Sequence, residues 1–406
     1  MSKKSIKCLR FMDNLALSTQ KSYNQAIKLY EKFHGTSIEA LVDEALEEQA
    51  NQVPHHKLKV IDRIEEFQDY LIHQELVVGT IKTHMSRIKA IYHKNRVELP
   101  YIEPINIKQV KRNPAIEFKD ILTKDELKKV LPLVRLPVRA RMMAMIQGGL
   151  SNEECEQLTL RRFIDELYPY HLQDDDISAL EWLADENNPV IWITKLIRVK
   201  TGKPYYGIIG AEAVNVIASA KLYEKDLPSN NGNIPDKLLN THKSNMNRIC
   251  SKINKRLGLG EAGGMYRLRP HALRKFHATY IGGSALSYDE QSIITNAEID
   301  EMQGRGKTGV QDTYIKTNPL RQKVLYAKVM NNVSLWNEYD YVIRDNDVEI
   351  FLIDPSDENK KLKKEVAHLT HQLEQKKQAS EKVNALRKEL GDDVFKEMIG
   401  EILNTN

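Results

Sequence analysis

Cysteine is scarce in this 406-residue chain. Cys8, Cys155 and Cys250 stand apart, in no metal-ligand spacing and in odd number, which excludes a disulfide framework or a zinc site and suits the reducing cytoplasm. Long apolar runs are missing too. Stretches such as Met142–Ile146 fall far short of the roughly 20 residues of a membrane helix, and Met1–Arg10 holds no signal-peptide core. β-signals are few, no internal repeat is visible, and the net charge is only +4. What remains is a soluble composition, 41% hydrophobic and 29% charged, in a chain long enough for two separate cores.

The small net charge hides a strong asymmetry. Residues 1–115 carry 18 Lys/Arg against 14 Asp/Glu, and residues 116–236 carry 15 against 19. Residues 237–339 then carry 16 against 8, and residues 340–406 carry 11 against 15. A basic block offset by an acidic tail suits a polyanion partner, because each phosphate neutralised by Lys or Arg releases a counterion. A solvated basic face on an ordinary enzyme would have the same composition.

Apolar spacing of three and four predicts helices through Tyr23, Ile27, Tyr30 and Phe33, capped by Ser18, then through Ile61–Leu71 and through Ile81–Tyr92 from a Gly79–Thr80 start. A shorter helical piece, Ile38–Leu46, and the polar loop Asn51–Lys57 lie between the first two. Pro100, Pro104 and Pro114 flank the basic run Lys108–Asn113 and mark a linker. Thr123 and Glu126 form a capping box for the next helix. Helices are further expected over Val138–Gln147, over Glu153–Leu160 with Ser151 as cap, and around Ala211–Leu222, Asn245–Leu257, His271–Gly282 and Leu320–Val333. The one convincing β-signal is a hairpin, Val190–Val199 and Pro204–Ile209, turning at Lys200–Lys203. In the tail, Leu362, Val366, Leu369 and Leu373 form a short heptad segment that fits pairing with another chain or packing on its own protein.

Chemistry concentrates in the basic block. Arg267, Arg269, His271, Arg274, Lys275 and His277 fall within eleven positions, and such a density of donors needs an anion. On a helix beginning near Pro270, His271 and Arg274 lie one turn apart, where arginine can fork onto a phosphate and histidine can hydrogen-bond it and move a proton. Downstream, Gly304, Arg305, Gly306 and Lys307 permit close approach to an anion, and Tyr314 follows nine residues after Arg305. Lys200 sits at the turn of the hairpin.

The order of these pieces resembles the tyrosine recombinases, or phage-type integrases, over residues 15–335. The motifs that carry the likeness are His271-Ala272-Leu273-Arg274, Val199-Lys200-Thr201-Gly202, and Gly304-Arg305 ahead of Tyr314. The Gly-Arg pair and Lys316-Thr317-Asn318-Pro319 look most like integrases of archaea and their mobile elements. The resemblance implies a mainly α fold: a helical DNA-binding domain over 1–100, a linker over 101–120, a mixed, mostly helical catalytic domain with a small β-hairpin over 121–339, and an acidic helical tail over 340–406. It also implies a site-specific recombinase that integrates or excises a mobile element through a 3′-phosphotyrosine intermediate, with no cofactor and no metal. Tyr314 would be the nucleophile, Arg274 and His271 would hold the phosphate, Lys200 would protonate the departing 5′-oxygen, and Arg305 would add a cation. DNA contacts would come from Lys108, Lys111, Arg112, Arg267, Arg269, Lys275 and Lys307. The partner would be double-stranded DNA, gripped from opposite sides by the two domains with four protomers assembling on it, and the location cytoplasmic, at the nucleoid.

Two departures matter. The family usually has His or Trp after the later glycine, where this chain has Arg305, and it places an arginine after a Gly-Leu pair, where here Gly149-Leu150 is followed by Ser151. Arg139, Arg141, Arg161 and Arg162 are near in sequence but lie on the order of 15 Å or more away along helix axes, so Arg305 is the candidate compensation. The alternative is a catalytically impaired DNA-binding relative that acts as an accessory factor in recombination.

Overall fold

The structure, a computed structural model, describes residues 7–106, 110–282, 294–305, 318–344 and 347–353. The chain forms two compact units, one of Met1–Ile116 with Glu261–Met265, the other of Glu117–Gly260 with Tyr266–Asn406. Regular structure is mainly α-helical, with three two-stranded antiparallel sheets among the described residues. None of the described helices is long and apolar enough to cross a membrane.

The first unit is built on α1 (Leu17–His34), α2 (Ile38–Ala50), α3 (Lys59–His73) and α4 (Val78–Lys94), after a 3₁₀ turn over Lys7–Asn14. The apolar spacing seen in the sequence is the core: Tyr30, Ile38, Ile64, Phe67, Leu71, Ile88, Ile91 and Tyr92 are fully buried. Each such large side chain contributes about 1.5–3 kcal/mol by leaving water. Tyr30 and Tyr92 satisfy each other's hydroxyls at 3.1 Å in that interior. Ser18 is not the cap of α1, since the helix starts one residue earlier behind Ala16, without a side-chain cap. Ser37 does cap α2, its Oγ accepting from Ala40 N.

The second unit opens with α5 (Lys124–Val130), whose Thr123–Glu126 capping box forms in both directions. At its centre lies α6 (Leu136–Gly148), buried on nearly every side and packed on α9 (Ala211–Lys225) and α11 (Pro270–Ile281). A helix apolar all round is a core helix, and only enclosure by its neighbours satisfies it. The hairpin is present as β1 (Trp192–Ile197) and β2 (Pro204–Ile209), in a register pairing Trp192 with Ile209 and Ile197 with Pro204. The remaining elements of this unit are α7 (Leu160–His171), α8 (Asp176–Ala184), α10 (Lys243–Arg256), α12 (Asn296–Met302), α13 (Pro319–Val333), β5 (Tyr339–Arg344) and β6 (Asp347–Leu352). The two-residue strands β3 (Glu261–Ala262) and β4 (Met265–Tyr266) fall in or at the end of the segment Glu261–Met265 that groups with the first unit.

Three features differ from the expectations. Residues Glu153–Leu160 are not one α-helix: Ser151 caps a single 3₁₀ turn, Glu154–Gln157, and Thr159 caps a new helix, α7. The hairpin is not the only substantial one, because β5 and β6 pair from Tyr339↔Leu352 to Arg344↔Asp347. The residues assigned to the start of a helical tail are therefore strands that pack on α13. Buried Lys323 of α13 donates to Asp347 Oδ1 at 2.5 Å and to Tyr170 Oη of α7, and Tyr170 in turn donates to Asp347. The heptad segment beyond lies outside the described residues.

Candidate functional site

The site is organised by a carboxylate that the motifs did not single out. Gly149 ends α6 in the left-handed conformation (φ 59°), which turns the chain so that Ser151 and Glu154 cap each other: Ser151 N donates to Glu154 Oε2 at 2.8 Å, and Glu154 N donates to Ser151 Oγ at 3.3 Å. Glu154 is fully buried. Its Oε2 also accepts from Arg274 Nη1 at 2.9 Å, and its Oε1 accepts from Arg198 Nη1. Burial opposes its charge, but the Ser151 backbone N–H and the two guanidinium groups outweigh that and hold its pKa below the usual carboxylate range.

Arg274 comes from α11, which opens with Pro270 at its first helical position; the Arg274 side chain is buried, whereas that of His271, one turn earlier, is exposed. Its guanidinium is buried, with Nη2 donating to Gln303 O beside the bond to Glu154. Gln303 returns the contact, Nε2 reaching Arg274 O at 3.2 Å and His277 Nδ1 at 2.9 Å. His277 is buried, and desolvation, followed by the charges of Arg274 and Arg305, pushes its pKa down to about 3. It is a neutral, structural imidazole. Gly304 (φ 63°) follows, and a Cβ there would lie 2.6 Å from the Tyr205 ring, so only glycine brings the chain past Tyr205 to Arg305.

A cationic surface adjoins this core. His271 is exposed on α11, and partial burial together with Lys275, Arg269, Arg274 and Arg305 lowers its pKa. Arg305 is exposed and pairs with Asp300 at 3.1 Å. Lys275 is half-buried and is depressed by burial, Arg269 and Arg305. Arg269 is half-buried, with Nη1 on Tyr266 O at 2.5 Å. Burial lowers the pKa values of His271, Lys275 and Arg269, and neighbouring cations add to the lowering at His271 and Lys275, as follows where positive charge is concentrated.

The other predicted residues separate into three groups. Lys200 is exposed in the β1–β2 turn, and Lys111 and Arg112 are exposed in the first unit. Tyr314, Lys307 and Lys108 lie outside the described residues. Arg267 is placed differently from expectation: its Nε donates to Asp120 O, Nη1 to Glu126 Oε1 and Leu259 O, and Nη2 to Glu126 Oε2 and Ile121 O. All five guanidinium donors are spent holding the chain ahead of α11 to α5, which leaves none for a phosphate.

The arginines near Ser151 in sequence are likewise committed. Arg141, fully buried, bonds the Asn152 side chain and backbone and Thr241 O. Arg139 donates to Leu131 O at 3.0 Å. Arg161 and Arg162 pair with Asp165 and Glu166. The residue that does approach is Arg198, and strand alternation could have indicated it. Trp192, Thr194 and Leu196 face the interior along β1, so the next even position points the same way. Glu154 carried a signal too, as the third residue after a capping serine.

No family model matches the sequence, and no curated protein matches it. Solved structures with similar architecture include the XerA recombinase (16% identity, TM-score 0.31, covering 79% of this chain and 95% of that one). Another is the XerH site-specific recombinase bound to difH substrate (15%, TM-score 0.43, 77% and 80%). A third is the Tn1549 transposon integrase in complex with circular intermediate DNA (14%, TM-score 0.44, 78% and 96%).

Proposed function

We propose that the protein is a site-specific DNA recombinase of the tyrosine type, acting on a mobile element akin to those of archaea. The observation that carries this reading is the surface of His271, Lys275, Arg269 and Arg305 around an Arg274 guanidinium held by Glu154 and Gln303 O. Such a surface suits a phosphodiester, and the covalent chemistry falls to Tyr314. Its hydroxyl oxygen attacks phosphorus as its proton passes to water, the bond to the 5′-oxygen breaks, and Lys200 gives that oxygen a proton. The 3′-phosphotyrosine keeps the phosphoester energy, so religation by a 5′-hydroxyl needs no cofactor. Arg274 opposes the charge on the non-bridging oxygens, Arg305 adds a cation to the surrounding surface, and His271, neutral near pH 7, donates a hydrogen bond to the phosphate. Lys108, Lys111, Arg112, Arg269, Lys275 and Lys307 supply contacts to double-stranded DNA, and four protomers assemble on two duplexes at the nucleoid.

The test is covalent capture. The protein is incubated with a pool of nicked duplexes of randomised sequence, denatured, and analysed for protein-linked DNA. An adduct that Tyr314→Phe abolishes supports the reading. Ser151 favours a second reading, a DNA-binding relative with impaired chemistry that acts as an accessory factor; salt-dependent binding without any adduct would select it.

A further inference from the structure

Within the recombinase reading, on which this inference rests, we propose that Arg198 is the second phosphate-clamping guanidinium of the site, supplied by the β1–β2 hairpin in place of an arginine at position 151. A phosphoryl group under attack carries charge on two non-bridging oxygens, and a single guanidinium leaves part of it unopposed. The chain has a serine at 151, and that serine is committed to capping the Glu154 turn.

The geometry makes the substitution from another part of the chain. Glu154 gives one carboxylate oxygen to Arg274 and the other to Arg198, so the two guanidinium groups stand side by side on a single acid. One anion and two cations leave one net positive charge, the complement of a phosphodiester. The two arginines differ in access. The Arg274 side chain is 3% exposed and that of Arg198 is 19% exposed, so Arg198 keeps an open side while Glu154 holds its far edge. Of its five donors, the fork retains several beyond the one on Glu154.

The hairpin also holds the Arg198 backbone firmly. Arg198 N donates to Lys203 O at 2.7 Å, and Arg198 O accepts from Thr201 N at 3.1 Å and Gly202 N at 2.7 Å. Gly202, at φ 70°, provides the left-handed residue that closes the turn. This turn also carries Lys200, so one short β-element delivers both the clamp and the proposed proton donor. Arg305 is less suited to this task, being spent on Asp300 in its own chain segment.

The test uses the full chain and the duplexes recovered by covalent capture. Single-turnover adduct formation is measured for the wild type, Arg198→Ala and Arg198→Lys, on a normal scissile phosphate and on a methylphosphonate, which lacks the charge of one non-bridging oxygen. Arg198→Ala is expected to lose about 10²–10³-fold in rate on the phosphate with DNA affinity changed less than about threefold, and to lose less than about tenfold on the methylphosphonate. Arg198→Lys, which keeps a cation against Glu154, is expected to fold normally and to fall between the two. Equal losses on both substrates would mean a structural role, and a wild-type rate for Arg198→Ala would mean no role; either overturns the assignment while the Tyr314-dependent adduct of the wild type still stands. Absence of that adduct in the wild type would instead remove the recombinase reading and Arg198 with it.

Discussion

Gly149 and His277 approach so closely that a Cβ on the glycine would lie 2.5 Å from the imidazole Nδ1. The same contact brings the left-handed end of α6 against the residues that position Arg274. Gly149→Ala is therefore doubly penalised, by φ and by collision. It is expected to cost about 2–3 kcal/mol, read as a lowered denaturation midpoint in urea at unchanged slope.

His277 makes folding sensitive to mild acid. Its folded pKa, about 3, lies below the ordinary value of 6.5, so between these limits the unfolded chain binds a proton that the folded chain refuses. Stability contributed by the neutral ring is thus complete above about pH 6.5 and is lost as pH falls toward 3. His34, His84 and His271 are shifted the same way, and the carboxylates with lowered values add their own loss only below about 4.5. The expected result is a stability that rises with pH between 4.5 and 6.5. His277→Gln, which keeps a polar partner for Gln303, should flatten that slope in equilibrium unfolding at several pH values.

Arg267 and Arg269, two positions apart, should behave in opposite ways. Arg267→Ala leaves Glu126 and three carbonyls without their donor and is expected to cost about 3 kcal/mol of stability, while the salt dependence of DNA binding stays unchanged. Arg269→Ala and Lys275→Ala should each weaken DNA binding and reduce the slope of log affinity against log salt by about one, with little effect on unfolding. Filter binding across a salt series, paired with thermal melts, separates the two behaviours.

The β5–β6 hairpin depends on a buried charge. Asp347→Ala strands Lys323, which is 3% exposed, and should cost about 3–5 kcal/mol. Lys323→Met added to Asp347→Ala removes the unpaired cation and is expected to recover most of that loss. A melt in which the double variant is as unstable as Asp347→Ala would show that packing, not charge, sets the cost.

These contacts also show where the sequence was legible. Helices α1, α3, α4, α6, α9, α10, α11 and α13 follow from local periodicity, and β1–β2 from its turn and β-branched strands, because neighbours along the chain determine those choices. The helix α7 carries Leu160, Phe163, Ile164 and Leu167 at helical spacing, but Pro169 and the acidic stretch after it obscured the pattern. Acidic residues likewise disguised β6, where Val348 and Ile350 alternate as buried positions. The cationic members of the site were readable as a cluster in one segment. Glu154 and Arg198 each carried a local signal, a capping position and strand alternation, but their meeting is a tertiary event between a turn and a hairpin that no local pattern announces. Arg267 failed for the reverse reason: composition marked it as a free cation, and packing consumed it.

The shared carboxylate of Glu154 has a consequence for how such a site changes over time. On the proposed assignment of Arg198, an arginine at 151 or one at the end of β1 would serve the same acid, and the two positions would form a substitutable pair. A lineage can pass from one to the other without the site losing its net charge, provided arginine appears at 198 before it disappears from 151. Homologues should therefore show arginine at one of the two positions or at both, and those with neither should have lost Tyr314 as well.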